Sequence, residues 1–201
     1  MKKVFILFLL AILALPSCRK AENDPFFSIH SRKSRLTGKW KVTGGYLEQT
    51  EQTGTSTNLY YKVNLYENSA GVYASISNAW EYGYGNATMH YEEKFEFERD
   101  GSFTHYLRFD DDTWDENGQW NFTDGVGRDR KNKSEVLLMY NSSVTSFYGE
   151  ETWDGEVNSV IYDLLELRND RITIEVKFKY YDQTDGSYLY YTEHKILEKD
   201  E

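Results

Sequence analysis

The chain has almost no cysteine, almost no proline, no excess of positive charge and no catalytic motif, and each shortage excludes something. Cys18 is the only cysteine among 201 residues, so neither an internal disulfide nor a cysteine-rich zinc site can form. Lysine and arginine number 23 against 33 aspartates and glutamates, a net charge of −10. That sign argues against nucleic-acid binding through the overall field and against a polybasic grip on anionic lipid. Only Pro16 and Pro25 interrupt the backbone, while 5 Trp, 17 Tyr and 11 Phe supply apolar mass; this is the composition of a globular chain, not a disordered one. Gly-x-Ser-x-Gly, His-Glu-x-x-His and a phosphate-binding glycine loop are all missing. The four histidines, His30, His90, His105 and His194, are scattered. No enzyme, no catalytic residue and no cofactor is expected.

What is present begins with an address. Lys2-Lys3 precede an apolar run from Val4 to Leu15, and the small Ser17 stands before Cys18. The run is too short to span a bilayer comfortably, and its flanks are those of a secretory signal. No other run is long enough for a transmembrane helix. The stretch Leu15-Pro16-Ser17-Cys18 resembles the lipobox of bacterial lipoproteins. The resemblance implies that residues 1–17 are removed as a signal peptide and that Cys18 is acylated and becomes the N-terminus. The membrane is then a partner through Cys18, since each buried acyl methylene adds about 0.8 kcal/mol and more than one chain is attached. Acylation also consumes the lone thiol, and loss of Lys2 and Lys3 with no acid turns −10 into −12. Residues 18–35 read as the acylated cysteine and a polar tether. Arg19 stands where an aspartate would hint at inner-membrane retention, so a bacterial cell envelope location is expected, outer membrane before inner.

Residues 36–201 form the expected domain, and its dominant period is two. Leu36, Gly38, Trp40, Val42 and Tyr46 alternate with polar residues, as in a half-buried antiparallel strand. Tyr91 to Phe97 and Phe103 to Phe109 alternate likewise. A three-residue Arg99-Asp100-Gly101 loop pairs Phe97 with Phe103 and Tyr91 with Phe109, keeping both apolar sets on one face, with Gly101 in the left-handed position. A two-residue Asn169-Asp170 loop pairs Leu167 with Ile172, Leu165 with Ile174 and Ile161 with Phe178, with turn residues that tolerate positive φ. Further strands fit at Leu59–Tyr66, Asn117–Thr123, Glu135–Asn141 and Tyr188–Leu197. Val72–Tyr84 reads either as a strand or as a lid-like loop. The fold class is all-β: an antiparallel up-and-down β-barrel of about eight to ten strands, an even number that closes without parallel pairing.

Leu36-Thr37-Gly38-Lys39-Trp40 resembles the Gly-x-Trp signature on the first strand of lipocalins. With the lipobox, the Phe-rich hairpin turning at Asp100-Gly101, a second Gly-x-Trp at Gly118-Gln119-Trp120 and the terminal hairpin, the chain is similar to lipocalin-like domain lipoproteins of the Bacteroidetes. The resemblance implies a lipocalin-like barrel that opens at the end away from the start of the Gly-x-Trp strand.

Three constellations could hold a ligand. The hairpin register puts Glu93 and His105 on the apolar face, diagonal to each other, and Asp163 inward opposite Val176; polar groups on an apolar wall fix a ligand's orientation, or Glu93 and His105 satisfy one another. Trp114, in the acidic stretch Asp110 to Glu116, and Trp153, in Glu150 to Gly155, fall on loops at the same end by parity, either as a rim platform for a sugar or peptide or folded back as a plug. The basic run Arg128 to Lys133 falls at the opposite end. Trp80, Tyr82 and Tyr84 form either a stacking ladder for a glycan or an edge strand packed on the domain. Asp110–Asp112 lack the glycine and closing glutamate of a calcium loop, so no metal site is assigned. The expected function is a lipid-anchored, non-enzymatic binding module for a small apolar or glycan ligand. The alternative is a structural or interaction protein of the envelope with a plugged barrel.

Overall fold

A computed structural model of the protein describes residues 31–79, 85–123, 134–146, 149–152, 158–183 and 186–200. It is an antiparallel β-barrel closed by ten strands. A short helix α1 (Arg32–Leu36) leads into β1 (Gly38–Thr53), β2 (Ser56–Asn68), β3 (Gly71–Ala79), β4 (Gly85–Phe97), β5 (Ser102–Phe109) and β6 (Asp112–Thr123). The chain continues through β7 (Glu135–Thr145), β8 (Gly149–Thr152), β9 (Asn158–Leu167), β10 (Arg171–Tyr181) and β11 (Tyr188–Lys199). Strand β8 pairs along the upper part of β7 and stands outside the ring.

The barrel has two cross-sections. At the end where β1 begins, Gly38 to Lys41 pair directly with Phe97 to Lys94 of β4. From Gly44 onward β1 pairs with β2 instead, so the β2–β3 hairpin wedges between β1 and β4. Eight strands therefore surround the lower end and ten the upper, and diameter grows with strand number. Closure also loosens upward: β10 pairs with β9 only from Ile172 to Glu175, and above that its described residues pair with β11.

The narrow end is filled. Trp40, Phe95, Phe103, Leu138, Leu164, Leu167, Ile172 and Leu197 are fully buried. Helix α1 lies under this core: Ser31 caps it by accepting from the Ser34 N–H, and Leu36 is buried. Arg35 is buried too and donates to the Leu167 carbonyl. The folded domain thus reaches back into the stretch that the sequence reads as tether.

The Arg99-Asp100-Gly101 turn has the expected register, Phe97 opposite Phe103 and Tyr91 opposite Phe109, with Gly101 at φ 101°. The terminal hairpin corrects the sequence reading. Leu167 does face Ile172, but a bulge brings Leu164, not Leu165, opposite Ile174. Neither Asn169 nor Asp170 has positive φ, so the tight turn is not the mirror-image type, and the bulge takes up the mismatch between turn and strand twist. The inner face of β9 is consequently Leu164 and Tyr162, while Asp163 and Ile161 point outward and are exposed. A second bulge, between Val42 and Gly44, turns Tyr46 outward, where it stacks on His194 with ring centroids 5.4 Å apart. The Asp110–Glu116 stretch is not a loop either. Asp110 at φ 56° and Asp111 make the whole connection, and Trp114 is a strand residue of β6 between Leu107 and Thr145. Of Glu150 to Gly155, the first three residues lie in β8. Val72–Ala79 is strand, and Trp80, Tyr82, Tyr84, Trp153 and the Arg128–Lys133 run lie outside the described residues.

Candidate functional site

Half-way up the barrel the inward positions change from apolar to charged. The alternation that points Phe95 and Phe97 inward on β4 also points Glu93 inward; on β5 it carries from Phe103 to His105, on β6 from Gly118 to Glu116, and on β11 from Leu197 to Lys195 and Glu193. Four strands thereby bring five ionisable groups to one level.

They form a single network. Lys195 Nζ lies 2.6 Å from Glu93 Oε1 and 2.6 Å from Glu193 Oε1. The Tyr91 hydroxyl donates to Glu93 Oε2 at 2.5 Å. Glu193 accepts from the Tyr162 hydroxyl at 2.9 Å and from the Tyr191 hydroxyl at 2.6 Å. His105 links the network to β6, with Nε2 2.8 Å from Glu93 Oε1 and Nδ1 2.7 Å from Glu116 Oε2. A neutral imidazole has one N–H and one lone pair. With a carboxylate at each nitrogen, His105 is an imidazolium that donates both ways.

The electrostatics agree with that assignment. Burial alone would push the Glu93 carboxyl up, but Lys195 and His105 outweigh it and hold it at about 2. Burial opposes the charged form of His105, yet its bonds to Glu116 and Glu93 raise its pKa above the usual value. Lys195, also buried, is held charged by Glu193 and Glu93. The phenols of Tyr91, Tyr162 and Tyr191 are pushed up, first by burial and then by the neighbouring carboxylates, so they stay protonated and donate. Lys195 and His105 are each held between two carboxylates, Lys195 by Glu93 and Glu193 and His105 by Glu93 and Glu116. Among the described residues no group of three or more His, Cys, Asp or Glu is placed to hold a metal ion.

Above the network the inner wall opens. Along β10 the inward residues pass from Ile172 at 1% exposure and Ile174 at 6% to Phe178 at 55% and Tyr180 at 57%. Phe178 stacks on the inward Tyr191, centroids 4.6 Å apart. Leu107 and Trp114, cross-strand partners one step above His105 and Glu116, are half-buried.

Of the residues singled out from sequence, Glu93 and His105 are inward and bonded to each other, and Trp114 lies on the same inner face one step higher. Asp163 is on the outer surface, in line with Glu135 and Glu175 across three strands; partial burial and those two carboxylates raise its pKa. Cys18, Trp80, Tyr82, Tyr84 and Trp153 lie outside the described residues. Lys195, Glu193, Glu116 and the four tyrosines at 91, 140, 162 and 191 were not legible as a site. The usable signal was parity: Glu193 and Lys195 share the face of Leu197, and Glu116 that of Gly118 and Trp120. No protein-family model matches the chain, and no curated protein matches it.

Proposed function

We propose that the protein is a lipid-anchored lipoprotein of a bacterial envelope, held through acylated Cys18 in the outer membrane before the inner. In this reading its lipocalin-like barrel is a non-enzymatic binding module for a small molecule. The lipobox-like Leu15-Pro16-Ser17-Cys18 supports the anchor. The observation that carries the binding reading is the gradient along the interior. Inward side chains that are fully buried among eight strands give way to inward aromatics more than half exposed where the set widens to ten and β10 no longer pairs with β9. An eight-stranded section is about filled by its own side chains, whereas a wider one is not. The ligand belongs in the upper half, on the floor made by Glu93, His105 and Glu116, beside Trp114. The second reading, a structural or interaction protein with a plugged barrel, draws support from the packed lower half and from the mutual satisfaction of Glu93, His105 and Lys195.

Two measurements separate these statements. Native mass spectrometry of the protein extracted in nonionic detergent is expected to show a retained small molecule; a homogeneous mass of chain plus acyl groups favours the plugged barrel. Cys18→Ala is expected to abolish incorporation of labelled fatty acid and to leave residues 1–17 attached. Unchanged labelling of that variant would remove the anchor from the proposal.

A further inference from the structure

The charges inside the barrel do not balance, and the imbalance has an address. Among the described residues three carboxyls, Glu93, Glu116 and Glu193, face two cations, Lys195 and His105. Glu93 has three donors: Tyr91, His105 and Lys195. Glu193 also has three: Tyr162, Tyr191 and Lys195. Glu116 has one, His105 Nδ1, on Oε2 alone. Among the described residues Glu116 Oε1 meets no donor, and Glu116 is the most exposed of the three, at 19% of its side chain. The surplus negative charge is therefore centred on Glu116, the carboxylate with the fewest donors and the most exposure.

A second group at this level is also unused. Tyr140 projects inward from β7, its ring 5.1 Å edge-on from Phe103 and 6.3 Å from His105. Burial and then the Glu116 carboxylate hold its phenol protonated. Among the described residues its hydroxyl makes no hydrogen bond, and the residue is half-buried. One step above, the inner face is Leu107, Trp114 and Thr145. A wholly apolar ligand settling here would strip water from Glu116 Oε1 and the Tyr140 hydroxyl and give nothing back. An anionic ligand would meet like charge, since both cations of the floor are already engaged. A cation with N–H donors meets the free carboxylate oxygen, offers the Tyr140 hydroxyl oxygen a donor, and sets its body beside the Trp114 indole.

We propose that the upper half of the barrel takes a small organic cation, an amine or guanidine on an apolar or aromatic body, with Glu116 as counter-ion and Tyr140 as the neighbouring hydrogen-bonding group. The proposal rests on the binding-module reading and adds the chemical class of the ligand. The seat differs from a simple acidic cluster because Lys195 and His105 neutralise its other carboxylates and leave one charge to be matched.

Three probes of similar size test it on the full chain in nonionic detergent, by calorimetry and tryptophan fluorescence: phenethylammonium, 2-phenylethanol and 3-phenylpropionate. Phenethylammonium is expected to bind saturably and at least tenfold more tightly than the alcohol, and the carboxylate not measurably. Glu116→Gln, which still offers His105 an acceptor, is expected to remove that preference while leaving alcohol binding within about twofold. Tyr140→Phe leaves the ion network untouched and is expected to weaken the cation severalfold, so it serves as the test should Glu116→Gln fail to fold. Equal binding of cation and alcohol, or a cation preference that survives the folded variants, overturns the cation proposal and leaves the binding module standing. No saturable binding by any probe, with no molecule retained in native mass spectra, overturns both.

Discussion

Lys195→Met is expected to remove about 3–5 kcal/mol of folding stability at pH 7, the usual consequence of deleting one partner from a buried ion pair. Among the described residues Lys195 is the only cation that touches both Glu93 and Glu193, at 2.6 Å each. Methionine fills similar space but leaves Glu93 with His105 as its remaining cation and takes from Glu193 the cation it holds, since His105 reaches Glu93 and Glu116 and not Glu193. The pH dependence carries the diagnosis. In the wild type Glu93 is held at about 2 instead of the ordinary 4.5. A depressed folded-state pKa means that the unfolded chain binds the proton first. The pairing therefore contributes its full share above about pH 4.5 and loses it as pH falls toward 2, about 3 kcal/mol in all. His105 works in the opposite sense: its raised pKa contributes stability below its ordinary 6.5 that is lost as pH rises through the folded value. Both shifts describe partly the same contact and are not added. In Lys195→Met, burial pushes Glu93 upward, so acid no longer removes this contribution. Urea unfolding at pH 7 and pH 4 should show the gap between variant and wild type narrowing at the lower pH. A loss below about 1 kcal/mol at pH 7, or a gap that widens in acid, would show that the network does not hold these charges as described.

How much of this was visible in the sequence depends on whether parity stayed intact. Where it did, as from Tyr91 to Phe109, loop arithmetic yielded the register residue by residue and placed Glu93 and His105 together on the inner face. Bulges defeat the method, because one extra residue inverts every side chain beyond it and leaves no mark in the alternation. The bulge at Val42/Gly44 sent Tyr46 outward, and the one beside Ile174 sent Asp163 outward and Tyr162 inward. The charged floor was obscured for a different reason. Glu193 and Lys195 share the face of Leu197, but two charges on an inward face look like a broken pattern until their partners are known, and Glu93 lies 102 residues from Lys195. The double cross-section was out of reach for the same reason: nothing in β1 alone says that its first residues pair with β4 and its later ones with β2.

Trp40→Ala is expected to cost about 3–5 kcal/mol, the range for truncating a buried aromatic to alanine, and to do so without touching the ligand floor. Trp40 has no exposed surface and anchors the narrow end through three separate contacts. Its ring packs in the core with Val42, Phe95 and Leu197. Its indole N–H donates to the Leu36 carbonyl at 2.7 Å, tying β1 to the last turn of α1. Lys199 Nζ sits 4.0 Å from the ring centroid and donates to the Thr37 carbonyl, so the end of β11 closes over the same side chain. Trp40→Phe separates these roles. It keeps much of the ring volume but orphans the Leu36 carbonyl, and should cost about 1–3 kcal/mol. Equal losses for the two variants in urea unfolding would mean that the hydrogen bond to α1, not packing, carries the residue's role. Because Trp40 lies among eight strands and Glu116 among the wider set, folded Trp40→Phe should bind phenethylammonium as the wild type does. A weakened affinity there would mean that the packed end and the open end respond as one unit rather than as a plug beneath a separate seat.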